Sequence, residues 1–280
     1  MRYHRPRTAN SDKEGPERPM SAHGRPSAQG TLDLPVHLNE DYDWDAFDPQ
    51  DYFQHNYASM RADDARMLAL VRDWFAAAVP AGSALSGIDV GSGANLYPTL
   101  ALLPYCEAIT LYEYSRENVE WLESSVRELP RTWESFWRLL KPGGSGEEFE
   151  QARAKVRKSC TVRSGSIFDL PAGQWDLGTM FFCAESLTED PAEFDHALGC
   201  FFGALKPGAP FAAAFMECSE GYDVGDVHFP AISIDTTQLS EAIDRLGAVG
   251  AFTVRRTDID PAPLRPGYTG YLVVIGNTKA

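Results

Sequence analysis

Two periods of apolar positions alternate along this chain. Short runs of strand length surround Ile88 and Val90, then fill Ala108–Glu113, Thr161–Arg163, Trp175–Phe182, Pro210–Met216, Phe252–Thr257 and Tyr271–Ile275. Between them lie stretches with the helical spacing of apolar residues. Arg66–Ala78 turns Met67, Leu68, Leu70, Val71, Trp74 and Phe75 to one side. Ser115–Glu128 opens on a good N-cap serine. Trp133, Phe136, Trp137, Leu139 and Leu140 share a face, and Glu147–Arg157 is a charged helix beyond the loop Pro142–Gly146. Pro191–Leu205 ends at Lys206-Pro207-Gly208, and Thr237–Leu246 follows a segment, Gly221–Ile234, that reads as loop or hairpin.

Strand and helix in alternation predict an α/β fold: a doubly wound, mostly parallel, seven-stranded Rossmann-like sheet. The last two strands are expected to form an antiparallel edge pair. Residues 1–35 are polar and rich in Pro, Gly and Arg, and read as a disordered tail. Residues 36–80 read as an N-terminal helical lid, its first helix starting at Asp48-Pro49 with Tyr52, Phe53 and Tyr57 near one face. Residues 81–280 form the ligand-binding domain, with 129–160 a helical insertion.

The strand–turn–helix at Gly87–Leu103 organises the rest. Gly91 and Gly93 let the backbone turn tightly and approach a ligand without a Cβ in the way. A dinucleotide fingerprint needs a third glycine at position 96, where this chain has Leu96, so a pyrophosphate site is disfavoured. The next strand ends in Glu113, placed to hold ribose hydroxyls beside the glycine turn. Asn118 follows five residues later and can return toward that strand end. Together these features suggest S-adenosylmethionine (SAM). The chain after Phe168 brings Phe181, Glu185 and Glu217 to strand carboxyl ends, where such folds bind ligands.

Composition narrows the partners. The formal charge is -15, and the basic residues of the first thirty positions leave the remainder more acidic still, which argues against a nucleic-acid backbone as ligand. The five cysteines are scattered, odd in number and without a Cys-x-x-Cys pair, so no disulfide framework or zinc site is expected and the compartment reads as cytoplasmic. No apolar run reaches the length of a membrane span. His55, His196 and His228 show no metal-ligand spacing.

Several motifs then point one way. Asp48-Pro49-Gln50-Asp51-Tyr52 with Tyr57, Ile88-Asp89-Val90-Gly91-Ser92-Gly93 with Tyr97, Tyr112-Glu113-Tyr114-Ser115 with Asn118, Phe182-Cys183-Ala184-Glu185, and Leu205-Lys206-Pro207-Gly208 resemble the nicotinamide, phenylethanolamine and thioether/indolethylamine methyltransferases. The resemblance spans about residues 43–278. It implies a SAM-dependent methyltransferase of a small molecule, typically an amine or azaarene nitrogen. By position it implies that Tyr52, Tyr57, Gly91, Ser92 and Tyr97 contact the methionine part of SAM, with Gly93 a cofactor-binding residue of the same turn. Glu113 and Asn118 hold the ribose and its surroundings, and Ser166 and Ile167 flank adenine, with Ser166 standing where the family tends to have Asp. Phe181, with Phe182, adds to the aromatic wall. Glu185 and Glu220 match acids of the amine-methylating members, and with Tyr57 they are the candidate catalytic residues. Two alternatives stay open: an O- or C-methyltransferase of a specialised metabolite, and a non-catalytic SAM-binding protein. The oligomeric state, monomer or dimer, is not set by the sequence.

Overall fold

In a computed structural model of the protein the described residues are 37–80, 82–141, 146–259, 264, 265 and 267–280. The expected tail and the loop Pro142–Ser145 lie outside them. Seven strands form one sheet: β1 (Leu85–Val90), β2 (Cys106–Glu113), β3 (Cys160–Ser164), β4 (Leu177–Phe181), β5 (Pro210–Glu217), β8 (Val249–Asp258) and β9 (Gly270–Thr278). β6 (Tyr222–Val224) and β7 (Val227–Phe229) make a separate antiparallel hairpin. The sheet order is β3-β2-β1-β4-β5-β9-β8, parallel from β3 to β5, with β9 antiparallel to both its neighbours. The chain winds outward from β1 to β3, then returns to the other side of β1 at β4. That reversal opens a crevice at the carboxyl ends of β1 and β4.

Each central strand feeds two cores, because successive side chains point to opposite faces. In β5, Ala212, Ala214 and Met216 join one apolar cluster, and Phe211, Ala213 and Phe215 join the other. The second face is covered by α7 (Pro191–Ala204) and α8 (Thr236–Leu246). The first face is covered by α2 (Ala62–Ala78), α3 (Tyr97–Leu102), α4 (Arg116–Arg127), α5 (Glu134–Leu140) and α6 (Gly146–Ser159).

Most elements fall where the apolar pattern puts them. α1 (Pro49–Asn56) is capped by Asp48, whose Oδ1 accepts from Gln50 and Asp51 N–H. α2 begins four residues before the expected Arg66, because Asp64 reaches back to accept from Arg61 N–H at 3.4 Å. The insertion is a buttress: Trp133, Phe136, Trp137 and Leu140 are buried, and Trp133 packs 5.6 Å from Phe53 of the lid helix. Leu139 is only half-buried.

One buried acid fixes the opening strand. Asp89 accepts from Thr99 Oγ1 and Thr179 Oγ1, each at 2.8 Å, so β1, α3 and β4 meet at its carboxylate. Burial pushes its carboxyl from 3.8 to about 7. A folded state that holds this proton more tightly gains stability that is full below the unfolded value and lost as pH rises through about 7. Asp89→Asn is therefore expected to flatten the fall in unfolding free energy between pH 4 and 7.5 by roughly 1–3 kcal/mol. Urea melts across that range check it, and parallel wild-type and variant curves would contradict it.

Candidate active site

The glycine turn after β1 is held by the acid at the end of β2. Gly91 and Gly93 have φ of 64° and 51°, which a side chain resists. Gly93 N–H donates to Glu113 Oε2 at 2.8 Å, and Tyr114 and Ser115 N–H donate to Oε1 at 2.9 and 3.0 Å. Burial raises the Glu113 carboxyl above its ordinary value, and these three backbone donors pull it back down. On the other side Gly91 abuts Cys183: a Cβ on Gly91 would lie 2.2 Å from the Cys183 sulfur. Phe182, at the end of β4, takes a φ of 55°, a strained value for an aromatic residue.

A cleft of about 840 Å³, including its open mouth, lies over this turn. Of the expected residues, Tyr52, Tyr57, Gly91, Ser92, Gly93, Glu113, Asn118, Ser166, Ile167 and Phe181 all line it. Tyr114, which is exposed, lines it together with Ser166 and Ile167. Tyr52 belongs to α1 and Tyr57 caps that helix, so the lid forms one wall. Burial raises the Tyr57 phenol well above its ordinary value, so it stays neutral.

Three expected residues lie elsewhere. Tyr97 is fully buried behind the wall. Its ring meets Tyr57 edge-on at 5.5 Å and stacks on Phe136, and its hydroxyl lies 3.4 Å from Asp64 Oδ1. It is not among the residues that line the cleft, and Phe136 of the insertion packs on its other side. Glu185 is fully buried one layer behind the cleft, where Met216 N–H donates to its Oε1 at 3.0 Å. Burial pushes its carboxyl up to about 7, opposed by the charge of Arg265. Glu220 is exposed, its stem against Gly267, and does not line the cleft.

Sequence reasoning missed Tyr112, Ser186, Tyr222 and Arg265. The first three line the cleft. Arg265 stands behind it in a Pro/Gly-rich turn with no periodic pattern to single it out. Tyr222 sits on the hairpin, whose apolar alternation over three residues is too short to read.

Two polar atoms in the cleft-lining residues have no hydrogen-bond partner among the described residues: Asn95 Nδ2 and Asn118 Oδ1. A buried donor and a buried acceptor beside an acid-braced glycine turn fit a ligand rich in hydroxyls and ring nitrogens. The NNMT/PNMT/TEMT family model matches residues 36–259. The chain belongs to the NNMT/PNMT/TEMT family. It is a SAM-dependent methyltransferase of a small molecule. Phenylethanolamine N-methyltransferase of Sus scrofa is 28% identical over 247 residues, 79% of this chain and 83% of that protein. Nicotinamide N-methyltransferase of Homo sapiens is 22% identical over 219 residues, 72% and 81% of the two chains. Among solved structures, 1,6-didemethyltoxoflavin-N1-methyltransferase of Burkholderia thailandensis superposes with a TM-score of 0.52 at 13% identity, covering 89% of this chain and 94% of that one. It shares the fold. No helix among the described residues is long and apolar enough to cross a membrane.

The contact at Gly91 has a direct test. A Cβ in the left-handed region costs ~1–2 kcal/mol before any clash with Cys183. Gly91→Ala is expected to lower the thermal midpoint by at least about 2–4 °C and to weaken SAM binding by calorimetry. Wild-type values for both would show that the turn tolerates the displacement.

Proposed function

We propose that this methyltransferase binds SAM along the glycine turn and transfers its methyl to a nitrogen of a small aromatic or amine acceptor. The observation that carries the reading is the Glu113 carboxylate at the turn. A carboxylate offers about four lone-pair sites; backbone N–H groups fill three of them here. The Asn118 side chain lies against the same carboxylate, and Glu113 lines the cleft, where a ribose hydroxyl can also donate to it. Asn118 adds an acceptor beside it, and Ser166 and Ile167 flank the adenine position. Tyr57, Ser92 and Gly91 contact the methionine part. Bound SAM supplies a methyl group on a sulfonium.

The chain's own part is positioning and solvent exclusion. Tyr52, Tyr57, Phe181 and Phe182 surround the place where acceptor and methyl must be held in line. Their ring faces attract a cationic centre and exclude water, so the loss of the sulfonium charge is favoured in a weakly polar chamber. Tyr57, held neutral, acts through its ring face and not as a base. Glu185 acts as a positioning residue through Arg265 and Met216. The free state of all five cysteines fits a reducing, cytoplasmic setting. The nitrogen acceptor follows the naming of the phenylethanolamine and nicotinamide relatives.

Calorimetry with SAM followed by turnover to S-adenosylhomocysteine (SAH) against amines, azaarenes, phenols and thiols tests the reading. Methylation of nitrogen acceptors is expected; turnover of phenols or thiols alone would overturn the nitrogen assignment, and SAM binding without turnover of any would overturn the catalytic one. Glu113→Ala is expected to cut SAM affinity by about 10-fold or more, since a charge-assisted hydrogen bond is worth ~1.5–3 kcal/mol. Unchanged affinity would remove Glu113 from the site.

A further inference from the structure

Phe47, Tyr52, Phe182, Ser186 and Tyr222 also line the cleft. Among the described residues that line the cleft, the single carboxylate is Glu113, at the cofactor end. The two acids expected to receive an ammonium are not at the wall: Glu185 is behind it and Glu220 is outside it.

The charged group that hydrogen-bonds this wall is Arg265, with the Glu185 carboxyl near it. Arg265 is 6% exposed. Its Nη1 donates to Ser186 Oγ and its Nη2 to the Tyr52 hydroxyl, both at 3.0 Å. Its guanidinium carbon lies 4.1 Å from the centre of the Tyr222 ring. All three partners line the cleft. A hydroxyl that accepts from a guanidinium keeps its own proton to give. Ser186 also faces the Glu185 carboxyl. The Tyr52 proton is left for a ligand, polarised by the buried cation behind it. Arg265 stays charged at any working pH, and Glu185, whose carboxyl titrates at about 7, offsets it only in part. An alkylammonium brought here meets a donor and a cation. A carboxylate meets the partner it needs.

Resting on the reading of this cleft as a methyltransferase site, we propose that the acceptor is an aromatic molecule carrying a carboxylate, which docks on the Tyr52 hydroxyl with Arg265 as the specificity-determining residue behind it. The nitrogen that is methylated then belongs to the same ring system and arrives uncharged, its lone pair free to attack. The methyl moves from sulfur to that nitrogen, and the S–C bonding pair stays on sulfur.

The test uses the full chain saturated with SAH and three matched probes: benzoate, benzamide and benzylamine. Benzoate is expected to bind about 10-fold or more tightly than benzylamine, with benzamide between them, as a buried charge partner discriminates. Arg265→Gln is expected to erase the benzoate advantage while SAH affinity stays within about 3-fold. If that variant does not fold, Tyr52→Phe is expected to weaken benzoate more than benzylamine. Benzylamine binding equal to or tighter than benzoate, or no binding of any probe by SAH-loaded protein, overturns the proposal and leaves the methyltransferase reading standing. Failure of the wild-type chain to bind SAH brings down that reading, and this proposal with it.

Discussion

The site depends on one carboxylate. Glu113 ends β2, yet its three hydrogen bonds go to Gly93 on the neighbouring loop and to Tyr114 and Ser115 at the start of α4. Each of those N–H groups would otherwise be left without a partner at a strand end or helix start, at a cost comparable to a lost hydrogen bond. The acid therefore joins two βα turns into one rigid edge of the crevice. Asp89 does the same work a layer below, tying β1 to α3 and β4 through two threonine hydroxyls. The parallel sheet supplies a crevice at its switch point, and these two acids give it a fixed shape.

The opposite wall is aromatic and is built in layers. Tyr52 and Tyr57 stand at the cleft, Tyr97 and Trp133 stand behind Tyr57, and Phe136 stacks on Tyr97. On the other side Phe47, Tyr222 and Phe229 form a small cluster that joins the lid to the hairpin. Asp51 of the lid helix also accepts from Gly225 N–H on that hairpin. The lid is thus held by the insertion on one side and the hairpin on the other. Two segments outside the basic sheet fold exist to keep a short helix of eight residues in place over the cleft.

The sequence made the frame legible wherever periodicity was strong. Ile88–Val90, the Pro191–Leu205 helix and the closing pair of strands read correctly because burial on two faces leaves continuous apolar runs. The glycine turn and its brace were legible for a different reason: a left-handed turn needs glycine, and a strand-end acid finds free backbone N–H groups beside it. That Tyr97, Glu185 and Glu220 lie outside the cleft lining was not legible, because spacing along the chain cannot say how deep a side chain lies. The insertion pushed Tyr97 into the core, and the Met216 amide drew Glu185 behind the wall. Arg265 left no trace in the sequence. Its contact with Tyr52, more than two hundred residues away in the chain, exists only in the folded protein.

The central claim is that the edge braced by Glu113 holds the nucleoside, with the sulfur facing the aromatic chamber. A crystal structure of the full chain grown with SAH tests it most directly. Ribose hydroxyls are expected within hydrogen-bond reach of Glu113, adenine beside Ser166 and Ile167, and the sulfur turned toward Tyr52 and Tyr222. Density for SAH at any other place, or a cleft closed by the chain's own side chains, would contradict it.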